Sequence, residues 1–366
     1  MILTAFFPVL FREYWSSRNW ATQGLAISAI LTQLMVAMLA PLVAKLASSK
    51  GSSSLIILAF ALLGSILTSL LAFTPPDQEI TALIFFTAAS ILYFLSIALQ
   101  DGLLLFISSP QERHKLSLLA YAFGYLGGGL ALLISLLLVK KDASYFKLVF
   151  LGVGAWWFIF SLPLLSIKHE KSVNSSLKAC LIPILNQKRV VFFLIAYFLY
   201  MDGVGTIIRF GVDFGLSISL SKEAVLSALL LVQFIGFPST FLMLGLSRLI
   251  GPLFTLLVCL AVYFFISLNA FFISKEWHFF ALAIAISLVQ GGTQALSRSI
   301  FSNMLNLENS FVGFALFNIV TKFAGIIGPA IMFLSAEWLG TNRPGVFALA
   351  ALFSIGALLV WKSQNN

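Results

Sequence analysis

Long apolar runs alternate with short polar interruptions along the whole chain. A helix needs about 20 apolar residues to cross a hydrocarbon core of about 30 Å, and runs of that length recur here. The interruptions predict helices over 21–46, 55–73, 80–106, 116–139 and 145–167. A polar segment, KHEKSVNSSLKACLIPILNQKR, then fills 168–189. Further helices follow over 190–207, 224–245, 250–272, 277–298, 310–332 and 345–361, which makes eleven. The opening stretch, MILTAFFPVLF, is apolar but too short to cross. No basic region precedes it, so it does not read as a cleavable leader.

The two sides of the polar segment repeat one another. A shift of 201 residues lays 21–46 on 222–247, 80–106 on 281–307 and 145–167 on 346–368, each on or near a helix read independently. Gly124-Tyr-Leu-Gly127 falls on Gly325-Ile-Ile-Gly328. Internal repeats of this kind mark many secondary transporters. The organisation expected is a helical half over 1–167, a central loop over 168–189 and a second half over 190–366. Under the same shift the helix at 190–207 has only the end of a partner, at about −11 to 6. The first helix is therefore expected to be truncated, through either a native start upstream of Met1 or a degraded gene. A short half-inserted segment is the alternative.

Composition sharpens the class. Of 366 residues, 60% are hydrophobic and 10% charged, against about 25% charged in soluble domains. A soluble core of this size is excluded, and an all-α integral membrane protein is expected. The net charge of +9 comes without a basic stripe interleaved with aromatics, so no nucleic-acid partner is expected. Loop Lys and Arg instead set orientation. With 168–189 in the cytoplasm, that side collects twelve of them and the other side nine. Cys180, read in a loop, and Cys259, read in a helix, suggest neither a disulfide framework nor a metal site. His114, His169 and His278 lack ligand spacing. Phosphate-binding loops and nucleophile elbows are missing. No catalytic residue, metal or cofactor is expected.

A charge at mid-bilayer costs about 2.5–3.5 kcal/mol, so the polar residues inside the runs are informative. In SLVQGGTQALSRSIF, at 287–301, Gln290, Gln294 and Arg298 follow an i, i+4, i+8 spacing and share one helical stripe. The stripe is about 12 Å long at 1.5 Å per residue. Lipid offers amides no partner, so it should face the protein interior or a water-filled cavity. Helix–helix hydrogen bonding is the alternative use. In FLYMDGVGTIIRF, Asp202 stands beside Gly203 and Gly205, as a proton carrier or as a helix-end acid. In FNIVTKFAGIIGP, Asn318 and Lys322 are i, i+4, and Pro329 permits a bend. Lys322 could pair with Asp202 or meet a substrate carboxylate. Asp101 lies near the cytoplasmic end of its helix. Gly124 and Gly128 hold a small-xxx-small spacing that reads as close helix packing.

Twelve helices in two sixfold halves joined by a longer loop resemble the major facilitator superfamily. YFLYMDGVGTII at 197–208, GYLGGG at 124–129, and QGGTQALSRSIF followed by KFAGIIGP are similar to its vacuole-effluxer-like branch, which includes autophagy-related amino-acid effluxers. The branch's early Tyr-Asp-Trp-type motif is missing here. The superfamily's G-x-x-x-D-R-x-G-R-R loop is replaced by PLVAKLASSKGSSS at 41–54, and its counterpart is reduced to LGLSRLIGP at 244–252. Those charges ordinarily help to latch the cytoplasmic gate.

The resemblance implies a bundle of two pseudo-repeated six-helix halves, the first helix truncated. It implies a secondary active transporter that moves a small polar metabolite, amino acids first, by alternating access. The expected substrate pathway is Gln290, Gln294, Asp202, Asn318 and Lys322, with Arg298 and Asp101 at the gate. Proton coupling rests only on the intramembrane acids. The partners expected are a small-molecule substrate, protons and the lipid bilayer, in a bacterial inner membrane. Two other classes stay open: a non-transporting relative acting as receptor or partner subunit, and a membrane-embedded enzyme. The enzyme reading suffers from loops nearly empty of acids and histidines.

Overall fold

The computed structural model describes residues 6–16, 18–50, 53–167, 177–217, 221–273, 275–325, 327–339 and 344–365. Every regular element among them is helical. Among the described residues, eleven helical spans are long and apolar enough to cross a membrane, one of them, Leu307–Met332, running over two successive helices, as the hydropathy pattern predicts. The chain opens with α1 (Phe7–Leu10), which runs into a π-helical turn over Phe11–Trp15. There follow α2 (Arg18–Lys50), α3 (Ser53–Leu70), α4 (Glu79–Ile107), α5 (Arg113–Lys141) and α6 (Phe146–Ser161). A short α7 (Leu177–Leu185) leads to α8 (Lys188–Ser217), α9 (Lys222–Ile250), α10 (Pro252–Ala270) and α11 (Glu276–Ser302). The chain ends with α12 (Ser310–Phe323), α13 (Ile327–Leu339) and α14 (Gly345–Asn365).

By packing, the chain forms two compact units. The first gathers Met1–Ile107, Leu130–Leu181 and Leu307–Ile319. On α2, Val36, Ala40, Ala44 and Ala47 recur every three or four residues and form one buried row. They pack with Ile57 of α3, Leu95, Leu99 and Leu103 of α4, and Phe311, Val312 and Ala315 of α12. The other face of α2 exposes Met38, Leu42 and Leu46. Exposed apolar residues on a helix this apolar are a lipid-facing surface. The small residues let helices approach: a Cβ on Gly154 of α6 would stand 2.8 Å from the Ser65 carbonyl of α3. The opening segment joins this unit as an aromatic plug. Phe7 and Phe11 are fully buried, and the Phe7 ring stacks on Phe86 with centroids 4.0 Å apart.

The second unit gathers Ser108–Gly129, Ile182–Asn306 and Val320–Asn366. Tyr263 of α10 stacks on Phe353 of α14 with centroids 5.0 Å apart, and Tyr200 of α8 lies against Gly356. Hydroxyl side chains in both units satisfy themselves on the carbonyl one turn back. Examples are Thr68 on Gly64, Thr240 on Gly236 and Thr293 on Val289. This local bonding is how Ser and Thr are carried through apolar surroundings.

Three expectations need correction. The single helix read over 310–332 is two, α12 and α13, because Gly325 takes φ +106°, a conformation that Cβ-bearing residues avoid. Pro329 does not cause the break. It sits in the first turn of α13, where a missing N–H costs nothing. Gly124 does not serve close packing: a Cβ there would meet nothing within 4 Å, and the tight glycine is Gly129, over Gln233 of α9. Cys180 lies in a helix, α7, and is buried.

Candidate functional site

The polar stripe lies on α11. From Val289 to Ser302 every residue is buried except three, Gln290, Gln294 and Arg298, which are half-open. The half-open positions of this segment are thus its long polar side chains. Around the stripe the small residues are all in use. A Cβ on Gly291 would meet the Thr240 hydroxyl and the Tyr125 ring, and one on Gly292 would meet Met243. The Tyr125 phenol lies close to the Gln290 side chain. One turn on, the Ser297 hydroxyl donates to the Thr293 carbonyl and meets the Tyr200 phenol at 2.6 Å. Arg298 donates from Nε to the Ser117 hydroxyl at 3.0 Å and lies over the Tyr121 ring, 5.6 Å from its centroid. Stripe and aromatic partners belong to the second unit.

Asp202, on α8 in the same unit, is fully buried at 0% exposure. One carboxylate oxygen accepts from the backbone N–H groups of Gly325 and of Ile327, the latter at 3.1 Å; the other accepts from that of Gly328. These are orphan donors at the start of α13. A carboxylate there closes the hydrogen-bond account of the helix end and answers its positive dipole. Gly328 admits the approach, since a Cβ would collide with Thr206 and Asp202. Lys322 lies in the last turn of α12, where a cation answers the negative end of the dipole. The two charges therefore sit at the two ends created by the helix break. Asp202 meets backbone N–H groups rather than the Lys322 ammonium. Beside the break, Thr321 donates to the Tyr197 phenol at 3.0 Å.

The remaining residues lie in the first unit. Asp101 of α4 is buried, with 7% exposure. Its Oδ2 accepts from the Asn318 amide of α12 at 3.0 Å, and that amide also donates to the Phe314 carbonyl at 3.0 Å. Gly102 lets α12 close in, because a Cβ there would strike the Phe311 ring. Asp101 and Asn318 are thus brought together, as are Asp202 and the stretch after Lys322. Tyr125, Tyr197, Tyr200 and Ser117 were missed in the sequence. The signal available for the tyrosines was an aromatic with a hydroxyl on the same helix as each quoted glycine cluster.

No metal-holding group of His, Cys, Asp and Glu occurs among the described residues. A cavity of about 500 Å³, lined by Leu185, Lys188, Val191, Phe192 and Lys362, contains none of the stripe residues.

Among the described residues, eleven apolar helical spans, one of them interrupted at Gly325 with Asp202 buried at the break, give a fold shared with transporters of the major facilitator superfamily. A crystal structure of a transporter of that superfamily, FucP in the outward conformation, matches with TM-score 0.82 and 14% identity, over 99% of this chain and 94% of that one. The proton:xylose symporter XylE matches with TM-score 0.73 and 14% identity, over 99% of this chain and 90% of that one. Residues 2–366 match the family described as vacuole effluxer Atg22 like, and the chain belongs to that family. An uncharacterized MFS-type transporter of Bacillus subtilis, YxiO, is 27% identical over 98% of this chain and 90% of its own. Autophagy-related protein 22-2 of Aspergillus clavatus is 26% identical over 65% of this chain. The match spans about half of that fungal protein, 46%.

Proposed function

We propose that the chain is a proton-coupled secondary transporter of amino acids, working by alternating access, with Gln290 and Gln294 in contact with the substrate. The observation that carries this is the half-open stripe on α11, whose amides can both donate and accept and find no partner in lipid. Such groups suit a solute with an ammonium and a carboxylate. The amino-acid class follows the vacuole-effluxer resemblance. In this proposal Asp202 and Lys322 hold the broken helix, and Arg298 belongs to the gate. The coupling proton is assigned to Asp101, a buried carboxylate whose Oδ2 accepts from the Asn318 side-chain amide. Asp202 would have to release several backbone N–H groups to take it. The membrane proposed is a bacterial inner membrane with the 168–189 loop in the cytoplasm.

The test is flux of an amino-acid mixture into proteoliposomes under an imposed pH gradient, with a lumenal pH dye. Asp101→Asn and Asp202→Asn run beside the unaltered chain. Solute-dependent proton movement that Asp101→Asn abolishes supports the proposal. Loss in Asp202→Asn alone, with a folded protein, moves the proton to Asp202. Folded protein without flux for any amino acid overturns the substrate class.

A further inference from the structure

The first turn of α5 and the last turn of α11, both in the second unit, are joined by a closed set of side-chain hydrogen bonds. Arg113 Nη1 donates to the Ser302 carbonyl at 3.2 Å and to Asn303 Oδ1 at 2.9 Å. The Asn303 amide nitrogen stands 3.3 Å from His114 Nε2. His114 Nδ1 stands 2.7 Å from the Ser299 hydroxyl, and that hydroxyl donates to the Leu296 carbonyl at 3.0 Å. One turn further, the Ser117 hydroxyl donates to the Ala295 carbonyl at 2.8 Å and accepts from Arg298.

The roles in this set resolve in one way. Arg113 only donates, so the Asn303 oxygen must face it and the Asn303 nitrogen must face His114. An amide nitrogen only donates, so His114 Nε2 must carry a lone pair. The single ring proton is then on Nδ1, pointing at Ser299, whose own proton is already directed at Leu296. The set is complete for a neutral imidazole of that tautomer. A second proton would set N–H against N–H₂ at Asn303. Turning the Asn303 amide over would only set N–H₂ against Arg113.

The ring's hydrogen-bond partners are Ser299 and Asn303, neither of them an acid, and the charge acting on it is the Arg113 cation. On α5 the nearby charges are Arg113 and Lys115, with Glu112 just ahead of the helix and bonded to the Ser109 hydroxyl at 2.9 Å. On α11 the nearby charge is Arg298. We infer that His114 is a proton-operated clasp: it ties the start of α5 to the end of α11 while its ring is neutral, and acid on that side of the membrane releases the two helix ends. The clasp needs no substrate, so it stands or falls apart from the transport proposal.

The test places spin labels on cysteines at Gln111 and Asn306, both exposed, in a chain with Cys180 and Cys259 replaced by serine. Distances are measured by electron–electron resonance in nanodiscs from pH 8 to pH 5. One short, narrow distance is expected at pH 8. A longer population should grow at least threefold towards pH 5, with a midpoint below the ordinary imidazole value of about 6.5, because the closed set accepts only the neutral ring. His114→Gln keeps an acceptor for Asn303 and a donor for Ser299, and should stay closed throughout. Asn303→Asp gives a protonated ring its acceptor, and should reverse the sign, closing tighter in acid. The inference is overturned by equal distances at both pH values in the unaltered chain. It is overturned equally by a His114→Gln protein that opens in acid. If Asn303→Asp does not fold, the His114→Gln comparison decides alone.

Discussion

Asp202 carries a carboxylate through the membrane by giving it the backbone donors that a helix start leaves over. A buried donor left without a partner costs about 1–3 kcal/mol, and three donors depend on this side chain. Asp202→Ala should therefore lose more than about 3 kcal/mol and melt many degrees lower in detergent. Asp202→Asn, which keeps one accepting oxygen, should fall between. A melting temperature unchanged in the alanine variant would remove the capping role. Tyr125 lies beside the Gln290 side chain, and a hydrogen bond between phenol and amide would orient the amide. A single hydrogen bond is worth about 1 kcal/mol, so Tyr125→Phe should raise KM for the transported solute about fivefold and leave the maximal rate nearly unchanged. Equal KM values would show that Gln290 needs no such partner.

The helix is the scale at which pattern and environment meet. On α11 the sequence spacing selects Gln290, Gln294 and Arg298, and the structure leaves those three half-open from Val289 to Ser302. Single cysteines at 290 and 294 should react with a membrane-impermeant thiol reagent at least tenfold faster than cysteines at 293 and 297. Comparable rates would mean that the stripe meets no water. The break between α12 and α13 makes a second prediction. Gly325 takes φ +106°, where a β-branched side chain is strained by about 1–2 kcal/mol. Gly325→Val should lower the melting temperature, and a variant as stable as the parent would place the break elsewhere. The stripe was legible in the sequence because a period of 3.6 belongs to the helix alone. The ends of α12 and α13 were not, because hydropathy is continuous across 310–332 and records no backbone dihedral. Lys322, inside the predicted 310–332 run, lies in a last turn.

At the scale of the molecule, orientation follows from loop cations. Twelve Lys and Arg against nine favour a cytoplasmic 168–189 loop. The end of the chain then shares that side, since six crossings separate them. Green fluorescent protein fused after Asn366 should fluoresce in bacteria, and alkaline phosphatase fused there should be inactive. The opposite pair of results would invert the topology and, with it, the side on which acid reaches His114.

The sequence by itself determined the class, the apolar helical spans and the spacing of the one polar stripe. Each follows from what lipid demands locally: apolar length, a satisfied backbone and few charges. Only the tertiary structure decided what the buried polar groups do. Asp202 finds its partners 123 to 126 residues away, Asp101 finds Asn318 217 away, and His114 finds Ser299 185 away. Hydrogen bonds act over about 3 Å, so which donor meets which acceptor is set by how helices pack. Local composition, which determines that a helix forms, carries no record of that choice.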